Sequence, residues 1–131
     1  MASVRLFVGA CAVLFAFIAP SVQAGPRTGG ETYMRAGCFA CHGEMGYGGA
    51  GPRFRNDKLL AADDYVVGQI LLGRGIMPSF AHKLDDQQIA AVATYIRNSW
   101  GNDFGPVSAD QVAKARKEFT SSDQSRQKAT Q

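Results

Sequence analysis

The sequence is poor in the side chains from which proteins usually build metal sites, with only three cysteines and two histidines among its 131 residues. A zinc ribbon needs a second cysteine pair or further histidines, so this class of site is excluded. The formal net charge is only +3, which gives no reason to expect a nucleic-acid partner. The sequence has no long stretch in which apolar and polar residues alternate, and it has no internal repeat. These absences argue against β-rich and repeat architectures.

Long apolar runs are scarce as well. The longest, over residues 6–19, has about 14 residues where about 20 are needed to cross a bilayer. It follows Arg5, ends at Pro20 and is followed at 22–24 by Val-Gln-Ala, which offers the spacing of small residues that a signal peptidase requires. We therefore expect a secretory signal peptide over residues 1–24, cleaved on export to the periplasm and leaving no stable membrane span. An uncleaved anchor is the alternative.

One short motif carries most of the chemical information. Residues 38–42 read Cys-Phe-Ala-Cys-His, the C-x-x-C-H signature of c-type haem attachment. On one helical turn, two thiols three residues apart project to the same side and can each add to a vinyl group of the porphyrin, while the adjacent imidazole reaches the iron. The motif predicts one covalently bound haem c, attached through Cys38 and Cys41, with His42 as the proximal ligand. Such a group would also add core to a chain of about 107 residues after export, which is near the lower limit for folding unaided.

Two other interpretations of this cysteine pair stay open. A thioredoxin-type redox pair needs a preceding strand in a βαβ unit, whereas the residues around Tyr33 and Met34 look helical. A structural disulfide across two intervening residues is uncommon and would leave His42 unexplained.

A second iron ligand is expected far downstream, in a loop that folds over the opposite face of the haem. Residues 73–80 fit this need because glycines let the backbone approach closely, a proline stiffens the turn and Met77 presents a soft thioether. We predict Met77 as the sixth ligand. The alternatives are that Met77 is a core methionine or that the nearby His82 binds the iron instead. Met34 and Met45 lie too close to the C-x-x-C-H motif to reach the far face.

These separated motifs together resemble the class I cytochrome c family, over about residues 30–100. The glycine-proline at 51–52 is similar to the family's own, and the resemblance implies that the Pro52 carbonyl accepts a hydrogen bond from the His42 imidazole. The methionine-proline at 77–78 is similar to the family's axial methionine and its proline.

The resemblance also implies a crossing between the first and the last core helix. Gly30 and Met34 stand where the family has a small residue and usually an aromatic, and Val92 and Tyr95 resemble the answering pair on the last helix. Met34 departs from the aromatic pattern, with Tyr33 beside it.

The resemblance and the apolar periodicity agree on an all-α protein with the cytochrome c fold, in which three core helices surround one covalently bound haem. Glycines and Pro52 make residues 43–60 a loop, Ser108 and Gln111 have the spacing of a helix cap, and the polar chain from Thr120 onward has the composition of a disordered tail. We predict helices over about 28–41, 63–72 and 85–100, a possible short extra C-terminal helix over 107–119, a haem domain at 25–106 and a C-terminal extension at 107–131.

The function implied by the resemblance is electron transfer rather than enzymatic catalysis. We expect a periplasmic one-electron carrier between a dehydrogenase and an oxidase or reductase, present as a monomer or as a small subunit of a complex. Residues 93–102 resemble haem modules of cytochrome subunits that serve periplasmic dehydrogenases. A dedicated dehydrogenase subunit is therefore the main alternative, with the segment of Val112 and Phe119 as its docking element. A haem enzyme or sensor with a labile Met77 is the third.

Basic side chains are concentrated in the loops expected around the haem, namely Arg53, Arg55, Lys58, Arg74 and Lys83. We hypothesise a mildly basic docking rim for redox partners, against the alternative of a solvated surface of mixed charge. A related hypothesis pairs Arg53 or Arg55 with a haem propionate.

Overall fold

Five α-helices and one 3₁₀ turn form the part of the chain that this computed structural model describes, residues 26–129, with side chains described over 28–122. Within that range the backbone forms no strand beyond an isolated bridge between Arg74 and Met77, and the all-α prediction is confirmed. No helix in it is long and apolar enough to span a membrane. The predicted signal peptide lies outside the described residues. The elements are α1 (Pro26–Arg35), α2 (Cys38–His42), the 3₁₀ turn (Lys58–Ala61), α3 (Asp63–Leu72), α4 (Asp86–Arg97) and α5 (Ala109–Ala129).

Two of the core helices begin at clear sequence signals. α3 starts with the acidic pair Asp63 and Asp64, which suits the positive end of the helix dipole, and ends before Gly73, whose φ of 68° favours glycine. α4 follows a capping box in which Asp85 Oδ1 accepts from the Gln88 N–H at 2.8 Å and Gln88 Oε1 accepts from the Asp85 N–H at 3.0 Å.

The last core helix is shorter than predicted, because it ends at Arg97 rather than at Trp100. The Asn98 side chain donates from Nδ2 to the carbonyls of Thr94 at 2.7 Å and Gly105 at 3.0 Å. An asparagine that satisfies backbone carbonyls in this way offers the chain an alternative to further helix.

The single first helix predicted over 28–41 is wrong, since the chain forms α1 and α2 with Ala36 and Gly37 between them. Gly37 has a φ of 78°, in the left-handed region, which interrupts the helix and changes the direction of the next turn. The residues of α1 that face α4 therefore cannot be found by counting back from Cys38 at helical spacing.

The contact between α1 and α4 accordingly uses residues one position earlier than expected. Gly29, rather than Gly30, makes the tightest approach, since a side chain there would overlap a backbone carbonyl of α4. Tyr33, rather than Met34, fills the aromatic position: it is buried, with its ring centroid 5.6 Å from that of Tyr95, while Met34 is exposed.

A buried arginine joins α4 to two neighbouring segments. The Arg97 side chain donates from Nε to the Leu60 carbonyl at 2.9 Å and from Nη2 to the carbonyls of Ala61 at 3.0 Å and Phe104 at 2.8 Å. Its Nη1 donates to the Gly105 carbonyl at 3.0 Å. Arg97 thereby fixes both the 3₁₀ turn and the chain that leads into α5.

The C-terminal helix is longer than predicted. The expected cap is present, with Ser108 Oγ accepting from the Gln111 N–H at 3.2 Å and Gln111 Oε1 accepting from the Ser108 N–H at 2.8 Å, and Val112 is fully buried. The prediction of a disordered tail from Thr120 is wrong, because α5 continues to Ala129. A helix that is already capped and anchored by packing can extend through polar residues at little further cost.

Candidate functional site

A cavity of about 450 Å³ lies between α2, the glycine-rich loop, the 3₁₀ turn, α3, the Met77 segment and α4. Its volume is in the range of protein sites for small ligands and cofactors. Cys38, Cys41 and His42 of the C-x-x-C-H motif line the cavity, and so does Met77. Most of the remaining wall is apolar and includes Leu60, Val66, Ile70, Phe80, Val92 and Ile96.

His42 is held in one orientation and one tautomer. It is the last residue of α2, is 7% exposed, and has its Nδ1 atom 2.9 Å from the carbonyl oxygen of Pro52. A carbonyl oxygen can only accept, so Nδ1 carries the proton and donates it. The lone pair then resides on Nε2, which is the state in which a neutral imidazole binds a metal.

Two neighbours of His42 escaped the sequence analysis. Phe54 stacks on the imidazole, with ring centroids 4.2 Å apart and planes at 16°. Gly51 lies so close that a Cβ atom there would stand 2.6 Å from His42 Cε1. The sequence did contain a signal for Phe54, because this residue is an aromatic two positions after Pro52 in a loop rich in glycine. The Gly51 contact has no local signal, because it depends on how the loop folds back on α2.

Hydrogen bonds tie the glycine-rich loop to α2. The Gly48 N–H donates to the His42 carbonyl at 2.8 Å, and the Gly51 N–H donates to the Cys41 carbonyl at 2.9 Å. The Tyr33 hydroxyl donates to the carbonyl of Gly43 at 2.7 Å. Burial raises the pKa of Tyr33, so this phenol stays a neutral donor. These bonds set where the Pro52 carbonyl meets the imidazole.

Cys38 and Cys41 are half-buried, and both thiols are free and line the cavity. Burial raises the pKa of the Cys38 thiol to about 11, so the unmodified side chain is a protonated thiol at neutral pH. The thioredoxin-like alternative lacks its βαβ context in the described part of the chain, where no strand is formed.

Met77 sits in a tight turn fixed by backbone contacts. The Arg74 N–H donates to the Met77 carbonyl at 3.1 Å, and the Met77 N–H donates to the Arg74 carbonyl at 3.0 Å. A side chain at Gly73 would overlap the Met77 carbonyl, so glycine is required there. Ser79 Oγ donates to the Leu71 carbonyl at 2.6 Å and fastens the following residues to α3.

The competing ligands lie away from the cavity wall. His82 is exposed and does not line the cavity, although it is close to Met77 in sequence. Met34 and Met45 are exposed and do not line it either.

The two arginines expected near a propionate also lie outside the cavity wall. Arg53 is exposed, and Arg55 donates from Nη1 to the Met45 carbonyl at 3.4 Å with its guanidinium 4.6 Å from the centroid of the Tyr47 ring. The basic residue that does line the cavity is Arg74.

The donors around the cavity fit a haem better than a bare metal ion. Among the described residues, no three His, Cys, Asp or Glu side chains converge to hold an ion. One imidazole and one thioether are enough when a porphyrin supplies the other four ligands of the iron. The apolar wall suits a porphyrin ring, and the two free thiols beside His42 suit its covalent attachment.

Comparison with known proteins agrees with this interpretation. Residues 24–96 match the family described as cytochrome C oxidase, cbb3-type, subunit III. The chain is also 31% identical to cytochrome c6 of Thermostichus vulcanus over 102 residues, which cover 70% of this chain and 89% of the relative. The chain belongs to the cytochrome c family. Like a class I cytochrome c, this cytochrome is an electron-transfer protein with a haem cofactor.

Two further relatives are, by their names, parts of larger oxidoreductases. The cytochrome is 33% identical to the cbb3-type cytochrome c oxidase subunit CcoP of Azospirillum brasilense over 91 residues, 62% of this chain and 31% of the relative. It is 49% identical to the gluconate 2-dehydrogenase cytochrome c subunit of Pantoea cypripedii over 45 residues, 34% of this chain and 10% of the relative.

Proposed function

We propose that this cytochrome is a periplasmic monohaem electron carrier in which Cys38 and Cys41 hold one haem covalently and His42 and Met77 bind its iron. The observation that carries the ligand assignment is the hydrogen bond from His42 Nδ1 to the Pro52 carbonyl, since it directs the imidazole lone pair to Nε2. The presence of Met77 on the wall of the same cavity supports the second ligand.

Two protein ligands define the chemistry of the site. The bound haem supplies a one-electron couple between ferric and ferrous iron. A thioether opposite a histidine favours the ferrous state and raises the potential relative to two histidines. Because His42 and Met77 would both bind the iron, they would leave no open coordination position for a substrate, and this supports a carrier over a haem enzyme or sensor.

Replacing Met77 tests the ligand set. The ferric wild-type protein should show the weak far-red absorption of sulfur bound to iron, and Met77→Ala should lose it while its ferrous form gains rapid binding of carbon monoxide. Met45→Ala is the matched control, because Met45 is exposed and does not line the cavity. Far-red absorption that survives in Met77→Ala would refute the assignment, and rapid carbon monoxide binding by the wild type at native pH would favour the enzyme or sensor.

Mass and location of the exported protein test the remaining parts of the proposal. We propose a signal peptide at 1–24, a haem domain at 25–106 and a C-terminal extension at 107–131. Expression in a host with haem-attachment machinery should give a red periplasmic protein that begins at Gly25 and carries the mass of one haem after denaturation. Cys38→Ala with Cys41→Ala should lose this mass. A colourless wild-type product would refute covalent attachment.

A dedicated subunit of a periplasmic dehydrogenase is the second candidate. It is supported by the 49% identity with the gluconate 2-dehydrogenase cytochrome c subunit over 45 residues. Gentle purification from the native source separates the two functions. A free carrier elutes as a monomer that passes electrons from a dehydrogenase to an oxidase or reductase, whereas a subunit elutes with a large partner.

A further inference from the structure

α5 lies outside residues 24–96 that match the family. Its Arg116 side chain nevertheless bonds the end of the Met77 segment, taken here as residues 73–86, which carries Met77 and leads into α4. The Arg116 guanidinium donates from Nη1 to the Ala81 carbonyl and from Nη2 to the Leu84 carbonyl at 3.2 Å. Its Nε donates to Asp86 Oδ1 at 2.8 Å. One side chain therefore bonds three residues of a single stretch of chain.

These contacts complete a set of restraints along the Met77 segment. Ser79 Oγ holds the segment to α3, and the Phe80 N–H donates to the Ile70 carbonyl at 3.0 Å. Beyond Phe80 the chain turns, with the Leu84 N–H donating to the Phe80 carbonyl at 3.0 Å. Arg116 bonds the outer side of this turn, so the segment is fastened to α3 at its start and to α5 at its end.

The chemistry of the contact explains why an arginine stands there. The side chains of Arg116 and Asp86 are about a third exposed, at 28% and 33%, so solvent weakens their ion pair. The planar fork of the guanidinium can meanwhile reach two carbonyls and a carboxylate at once, which a lysine cannot do in the same geometry.

We propose that Arg116 is a positioning residue for Met77, which fastens the end of the Met77 segment to α5 and slows the opening of that segment. This inference rests on the proposed function, because it takes Met77 to be an iron ligand. Opening that moves the end of this segment breaks the bonds to Ala81 and Leu84, and each net hydrogen bond is worth a few-fold in such an equilibrium.

The test compares Arg116→Gln with Lys114→Gln. Lys114 lies on the same helix, and its side chain is 80% exposed and pairs only at 4.0 Å with Glu118, so this control removes the same charge without touching the Met77 segment. The measured quantities are the rate at which external imidazole replaces the thioether in the ferric protein and the hydrogen exchange of the Phe80 amide in the ferrous protein. We expect both to rise about tenfold in Arg116→Gln and to stay unchanged in Lys114→Gln. Arg116→Lys, which keeps the charge but not the fork, should lie between.

The outcomes separate this inference from the proposed function. If wild-type protein lacks the far-red sulfur absorption, the proposed function fails. If the absorption is present and Arg116→Gln behaves like Lys114→Gln in both measurements, the positioning role of Arg116 is wrong while the ligand assignment stands. Equal acceleration in both variants would assign the effect to charge on α5 and also overturn the inference.

Discussion

At the scale of single residues, His42 is oriented by parts of the chain that do not include the attachment motif. The Pro52 carbonyl accepts from its Nδ1, Phe54 stacks on its face, and Gly51 leaves just enough room for the ring. In the proposed haem site the motif would supply the iron ligand, and the loop after it would set the orientation and the donor strength of that ligand.

Replacing Gly51 should disturb this orientation. A Cβ atom would stand 2.6 Å from His42 Cε1, so Gly51→Ala must tilt the ring or push the loop away, which costs about 1–3 kcal/mol of unfolding free energy. A weaker bond to Pro52 makes the imidazole a poorer donor and should raise the reduction potential. Denaturant unfolding and a redox titration measure both effects.

Gly68→Ala is the control for this substitution. Gly68 lies inside α3, and a Cβ there would meet the Phe119 ring at an ordinary 3.5 Å, so stability should rise by about 0.5–1 kcal/mol with no change in potential. Equal behaviour of Gly51→Ala and Gly68→Ala would show that the His42 ring is not closely confined.

A second prediction at this scale concerns the Tyr33 hydroxyl and depends on pH. Tyr33→Phe leaves the Gly43 carbonyl without its 2.7 Å donor and should cost about 1–2 kcal/mol at neutral pH. Burial is the main cause that raises the pKa of Tyr33 above its ordinary value of 10.0. A raised pKa stabilises the fold below the unfolded pKa, and that stabilisation is lost as pH rises.

The stability difference between wild type and Tyr33→Phe should therefore be constant below about pH 10 and shrink above it, by about 1.4 kcal/mol per pH unit at most. Unfolding in denaturant at several pH values measures it. A difference that stays constant up to pH 11 would mean that Tyr33 ionises in the folded protein as easily as in the unfolded one.

At the scale of elements, Arg97 joins three pieces of the fold. It is 4% exposed, and its partners are backbone carbonyls of the 3₁₀ turn and of the chain before α5. A lysine keeps the charge but has three donors instead of five and no planar fork. Arg97→Lys should cost about 2–4 kcal/mol of unfolding free energy, whereas Arg35→Lys, at an exposed position, should change it by less than about 0.5 kcal/mol. Equal losses in both variants would contradict the joining role of Arg97.

The sequence predicted those elements whose signals are local. The capping residues Asp85 with Gln88 and Ser108 with Gln111 act within three positions, and the helices begin where these pairs stand. Gly73 likewise ends α3 through its own backbone conformation.

Features that depend on distant contacts were missed. Gly37 is the exception among the misses, because its signal is local: no atom beyond its chain neighbours lies within 4 Å of where its Cβ would stand, and its left-handed conformation ends the first helix and moves the α1 contact from Met34 to Tyr33. Arg97 and Arg116 bond carbonyls more than 30 positions away, at Leu60 and Ala81 for example. The spacing of residues along the sequence does not indicate such contacts.

At the scale of the whole molecule, the mouth of the cavity combines exposed apolar side chains with one cation. Ile76 is 78% exposed and Leu59 66% exposed, and both line the cavity together with Arg74. The other cations of the hypothesised basic rim, such as Lys58 and Lys83, are exposed without lining it. Asp57 also lines the cavity, but it is half-buried and its carboxylate accepts from the Leu59 N–H, whereas Arg74 is exposed. An electron-transfer partner would thus meet a mainly apolar surface on which Arg74 is the exposed charge, and this suits brief contacts over a small area.

This arrangement predicts a weak dependence of electron transfer on salt, with Arg74 as its main source. Oxidation of the ferrous protein by anionic ferricyanide should slow a few-fold as ionic strength rises from about 0.01 to about 0.2 M, since the Debye length shrinks from about 30 Å to less than 10 Å. Oxidation by cationic cobalt tris-phenanthroline should speed up instead. Arg74→Gln should flatten both trends, whereas Lys117→Gln, on an exposed position of α5, should leave them as they are. Wild-type rates that do not change with ionic strength would contradict electrostatic steering at this surface. An equal loss of salt dependence in both variants would assign the field to the net charge of the molecule rather than to the mouth of the cavity.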